Sequence, residues 1–174
     1  TAHPQNARLQ LTDAAYDNPK TPPLFAMVLR KHIEGGRIVN ITQAGLDRVA
    51  DITVDARNEI GDTVERHLIV EIMGKHSNII LCDNDMTILA AAKQYGNNVS
   101  RYRQVLPHEA YILPPPSGKV NPFFLSEEEF TEVLTNQELS LTLPKALLKT
   151  MDGISPQTAA EIVYRAGLEN SETL

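Results

Sequence analysis

The chain has 174 residues, 42% hydrophobic and 22% charged, with a net charge of −6. This suffices for one domain with a real core, or one domain plus a small appendage, at an ordinary globular balance. No apolar run approaches the roughly 20 residues of a membrane span, the start is not basic-then-apolar like a secretory signal, and the lone Cys82 excludes an intrachain disulfide.

Taken in order, residues 8–12 alternate and predict a short strand. Asp17, Asn18, Pro19, Pro22 and Pro23 mark a loop, with Thr21 as the expected cap of the next helix. Leu24, Met27, Val28 and Ile33 recur near the helical period, so 24–33 is predicted as a helix ended by Gly35 and Gly36. Residues 37–43 and 48–56 alternate as strands around a turn at Ala44, Gly45, Leu46 and Asp47. A turn at Gly61 leads into 64–73. The hinge Gly74, Lys75, His76, Ser77 and Asn78 then closes a hairpin with 77–82. Asn84 and Asp85 turn into a further strand, 86–92. Consecutive strands with short turns imply an antiparallel meander.

Residues 93–118 differ, being rich in Gly, Asn, Pro and Tyr and ending near Pro114, Pro115 and Pro116. Lys93, Arg101 and Arg103 are interleaved with Tyr95, Tyr102 and Tyr111. Such a mixture can hold phosphates and stack bases, or simply pack its tyrosines on the sheet. Beyond the prolines, Ser126 and Glu129 form a capping-box start, and 143–149 and 156–166 read as helices. Their connection, Asp152-Gly153-Ile154-Ser155, resembles a helix-hairpin-helix turn. Ser155 replaces its usual second glycine and the surroundings are acidic, so a packing hairpin is expected before a phosphate contact. The expected class is α+β: a β-meander domain with one N-terminal helix over 1–118, then a small all-helical region over 119–174. Charge divides similarly, with 13 basic and 13 acidic residues in 1–120 but 3 against 9 in 121–174.

No Walker loop, dinucleotide fingerprint, nucleophile elbow or zincin helix is present. The five histidines lack metal-ligand spacing. No catalytic residue, metal or cofactor is expected, and the chain reads as a non-enzyme. Binding candidates remain. Lys75, His76, Ser77 and Asn78 are polar groups at a loop tip held by two strands, where binding residues concentrate; a plain turn is the alternative. Asp47 and Arg48 read locally as a surface salt bridge. Arg30, Lys31 and His32 suit either the helix C-terminal dipole or a phosphate.

Glu71-Ile72-Met73-Gly74-Lys75-His76-Ser77-Asn78-Ile79-Ile80-Leu81 also resembles the signature of the NFACT-N domain, and residues 22–36, 43–48 and 57–62 extend the match. That domain opens the FbpA/PavA fibronectin-binding-protein family of Gram-positive bacteria, ribosome quality-control factors of the RqcH/NEMF type. The resemblance implies a fold like the N-terminal domain of formamidopyrimidine-DNA glycosylases. Their proline nucleophile has no counterpart at Thr1, so that activity is not expected. It implies that opening strands precede Thr1. It also implies that Asp47 and Arg48 engage tRNA on the large ribosomal subunit, in a protein that promotes C-terminal alanine tailing. Arg30, Lys31, Lys75, His76, Ser77, Asn78, Arg101 and Arg103 are further RNA-binding candidates. The competing expectation is an adhesin domain binding host fibronectin, with a possible homodimer. Location is expected in the cytoplasm, with the cell surface reached without a signal peptide.

Overall fold

The computed structural model describes residues 1–174. The elements are α1 (Leu24–Ile33), β1 (Arg37–Gln43), β2 (Val49–Arg57), β3 (Thr63–Glu71), β4 (Asn78–Asp83), β5 (Ile88–Ala91), α2 (Glu127–Thr135), α3 (Leu143–Thr150) and α4 (Pro156–Arg165). They fall into two compact units, Thr1–Ala44 with Arg48–Pro114, and Gly45–Asp47 with Pro115–Leu174.

The first unit is one antiparallel sheet in the order β1-β2-β3-β4-β5. Alternation along each strand divides its residues between two faces. On one face Val49, Ile69, Ile80, Cys82, Ile88 and Ala91 form a core closed by Val105, Tyr95 and Tyr111 from the segment after β5. On the other, Val54, Val70, Leu81 and Ala90 are buried, and α1 packs against β2 and β5. Gly36 permits that approach: a Cβ there would lie 2.7 Å from Val54 Cγ1 and 2.9 Å from the Asp55 carbonyl. β1 is an edge strand exposed along its whole length.

Because the sheet is a meander, its turns alternate between two ends. The β1–β2 and β3–β4 connections share one end. The β2–β3 turn shares the other with the C-terminal end of α1, where Lys31 Nζ meets Glu59 Oε1 at 2.8 Å. Nine residues of β2 separate the ends, roughly 26 Å at a rise of about 3.3 Å per residue.

In the second unit, Leu147, Met151, Ala159 and Val163 form the core, with Val120, Phe130 and Leu134 packed against it. The expected capping box is present: Ser126 Oγ accepts from the Glu129 N–H, and Glu129 Oε2 accepts from the Ser126 N–H. Ser155 Oγ caps α4 through the Thr158 N–H. The turn before it keeps glycine at Gly153, with φ +69° and Leu46 Cδ1 3.0 Å from where a Cβ would stand.

Two local expectations fail. Residues 8–12 form no strand, and Leu11 is fully exposed; alternation without a neighbouring strand leaves the backbone unpaired. Thr21 does not cap α1. Pro23 occupies that position with no side-chain cap bond, because two extended prolines intervene. No helix is long and apolar enough to cross a membrane.

Candidate nucleic-acid interface

Arg48, immediately before β2, and the tip between β3 and β4 are neighbours. Val49 pairs with Glu71 across the sheet, and the Ile72 N–H donates to the Arg48 carbonyl at 2.8 Å. Arg48 is therefore anchored by its backbone at the root of the tip, with its side chain exposed. Asp47, the residue before it, is half-buried.

The tip is a short 3-10 turn, Gly74–His76, stiffened from within. Ser77 Oγ accepts from the Met73 N–H at 2.8 Å. Asn78 acts as a pseudo-peptide: Nδ2 donates to the Lys93 carbonyl at 2.8 Å, and Oδ1 accepts from the Lys93 and Ile79 N–H groups at 2.9 Å. Lys93 returns its Nζ to the carbonyls of Ser77 at 2.8 Å, Ala2 at 3.1 Å and Lys75 at 3.4 Å. Ser77 and Asn78 are buried, while Lys75 and His76 are exposed.

Beneath the tip lies a buried ion pair. Arg103 Nη1 and Nη2 meet Glu71 Oε1 and Oε2 at 2.6 and 2.7 Å, a bidentate geometry that suits the guanidinium fork. Arg103 Nη1 also donates to the Ile112 carbonyl, and the Tyr111 hydroxyl donates to Glu71 at 2.9 Å. The guanidinium stands 5.9 Å from the Tyr111 ring centroid. Burial works against the Arg103 charge, but the Glu71 carboxylate more than offsets it and holds the guanidinium above its usual range. Burial, then the adjacent Glu71 charge, pushes the Tyr111 hydroxyl up as well.

These placements divide the expected site. Arg103, Ser77 and Asn78 are enclosed and committed to internal partners. Arg30 and Lys31 lie on α1 near the opposite end of the sheet. Arg48, Lys75 and His76 remain together and exposed, and Arg101 is exposed two residues before the buried Arg103. Sequence reading missed Glu71 and Lys93 as organisers, while the packing of Tyr95 and Tyr111 on the sheet is one of its two readings. A signal existed for Glu71: alternation puts it on the same face as Ile69, where a carboxylate needs a buried cation.

Residues 1–174 match the family described as NFACT N-terminal and middle domains. The chain is 47% identical over 175 residues to the Rqc2 homolog RqcH of Bacillus subtilis strain 168, covering 100% of this chain and 30% of that protein. A more distant relative, the human ribosome quality control complex subunit NEMF, is 31% identical over 96 residues, 55% of this chain and 8% of that one. The crystal structure of the N-terminal domain of fibronectin-binding protein PavA from Streptococcus pneumoniae is similar at a TM-score of 0.84 and 42% identity, covering 96% of this chain and 62% of that one. The chain thus spans under a third of the length of these curated relatives. Matched from its first residue to its last, it belongs to the NFACT family, in the part described as the N-terminal and middle domains.

Proposed function

We propose that this chain is an RNA-binding module of a ribosome quality-control factor, and that tRNA on the large ribosomal subunit is what it meets. The observation that supports this most is the sheet end where exposed Arg48 stands beside a tip presenting Lys75 and His76 from an internally bonded frame. Rigid presentation lowers the ordering cost of binding. A guanidinium fork suits a phosphate or a guanine edge. Asp47 orients Arg48 or accepts from a nucleotide amine or hydroxyl, and Arg101 adds charge. The first unit carries no net charge, so the contact is one of placed groups more than of bulk attraction.

The names of the relatives support a place for the whole protein in ribosome quality control. We extend this to recognition of stalled large subunits in the cytoplasm and support of C-terminal alanine tailing, with this chain contributing binding and no chemistry. A titration of charged tRNA tests it. Asp47→Ala with Arg48→Ala is expected to weaken binding by tenfold or more, about 1.4 kcal/mol. Affinity equal to wild type removes the assignment.

A second reading has its own observation. β1 is an open edge whose Ile38 and Ile41 are 59% and 60% exposed, and an extended ligand such as fibronectin can add to an edge by strand pairing. Binding to immobilised fibronectin that survives the Asp47/Arg48 change but fails with proline in β1 supports it.

A further inference from the structure

The end of the sheet away from Arg48 holds a cleft of about 350 Å³, lined among others by Lys31, His32, Arg57, Asn58, Glu59 and Arg66. All of these residues belong to the first unit. Arg57 is the last residue of β2, Arg66 lies in β3, and Lys31 and His32 come from the last turn of α1.

Three cations therefore face one carboxylate. Glu59 is taken up by Lys31 at 2.8 Å. The C-terminal end of α1 adds a partial charge of about −0.5, and two further carboxylates stand at the margin, Asp62 bonded to Asn58 and Asp83 across the strand pair from Arg66. Arg57 spends one donor on the Gly61 carbonyl at 3.3 Å, and Arg66 spends Nη1 on the Glu65 carbonyl at 3.0 Å. The Nε of Arg66 is buried with no acceptor. A buried donor left unmade is costly and calls for a partner. His32 senses the same field: burial, then Arg66 and Lys31, hold its imidazole below the ordinary range against a smaller opposing effect of Glu59.

We propose that Arg57, Arg66 and Lys31 form a second phosphate site that takes a backbone phosphodiester of the RNA. The assignment of RNA rests on the reading above. The choice of a phosphodiester follows from the cleft itself. Guanidinium groups match phosphate oxygens, and Arg57 and Arg66 each carry more donors than the single bond given above uses. Lys31 is 58% exposed, so the cleft is open to a polymer running past it. With the Arg48 corner roughly 26 Å away along β2, one RNA is gripped at both ends of the sheet.

The test has two arms on the 174-residue chain. In the first, the His32 imidazole is titrated by NMR with inorganic phosphate, against chloride at equal ionic strength. Phosphate is expected to raise its pKa, because a seated anion counters Arg66 and Lys31. In the second, tRNA affinity is measured over a salt series for wild type, Arg57→Ala and Arg66→Gln, with thermal melts as folding controls. Arg57→Ala should weaken binding several-fold and lower the log–log salt slope by about 0.7–0.9, one phosphate's worth. Should Arg66→Gln fail to fold, Arg57→Ala at the exposed strand end still decides. A wild-type slope and affinity for Arg57→Ala overturn the site. A His32 response to phosphate without any slope change also overturns the RNA assignment, leaving a small-anion cleft. Loss of slope in Arg57→Ala while Asp47→Ala/Arg48→Ala binds normally upholds the cleft and discards the corner.

Discussion

The two ends of the β-sheet use the same residue types in opposite ways. At the Arg48 end, Glu71 and Arg103 are sealed under the tip, and Lys93 is tied to three carbonyls. Their charges hold backbone in place, while Arg48, Lys75, His76 and Arg101 are exposed. At the far end the ion pairs are surface ones, Lys31 with Glu59 and Arg37 with Asp55, and Arg57 is exposed. The lesson is that cations in a sequence divide into buried and exposed ones by what their segment packs against. Counting them along the chain overstates one end and overlooks the other.

Breaking the buried pair has the largest expected effect. Glu71→Ala leaves Arg103 buried without its counter-charge, and about 3–5 kcal/mol of stability should be lost. A urea-unfolding midpoint close to wild type would show that the sheet end does not depend on the pair. Next comes Asn78→Ala, which strands the partly buried main-chain groups of Lys93; at most about 1–3 kcal/mol is expected for each unsatisfied group. Hydrogen exchange should rise at residues 72–78 and 92–94 before the rest of the sheet. Unchanged exchange there would separate the tip's rigidity from Asn78.

The alkaline limb is a smaller test of the same buried face. Cys82 lies at the core and its thiol is pushed up to about 12, first by burial and then by Asp83 and Asp51. The folded pKa thus exceeds the unfolded value near 9.0. This contribution is fully present below pH 9 and is lost as pH rises toward 12. Tyr111 acts in the same direction above its ordinary value of 10.0. Melting temperature should fall between pH 8 and about 10.5, and less so in Cys82→Ala relative to its own neutral value. The smallest effect is expected at the far end. Glu59→Gln removes the partner of Lys31 at the surface and should leave the melting temperature unmoved, because exposed ion pairs contribute little. A clear destabilisation would make the two ends more alike than the packing indicates.

Most of the architecture was legible along the chain because it is encoded by short-range chemistry. The helical spacing from Leu24 to Ile33, the period-two strands around Gly61 and Gly74, and the Ser126–Glu129 capping box each need only a few neighbouring residues. Alternation also determined which side chains share a face. The enclosure of Ser77, Asn78 and Arg103 was not legible, nor was the separation of Lys31 from Arg48. Glu71 meets Arg103 across 32 positions and Asn78 meets Lys93 across 15. Whether such a polar group faces solvent or a buried partner depends on which distant segment the closed sheet brings over it, and that is decided only when the backbone register is complete.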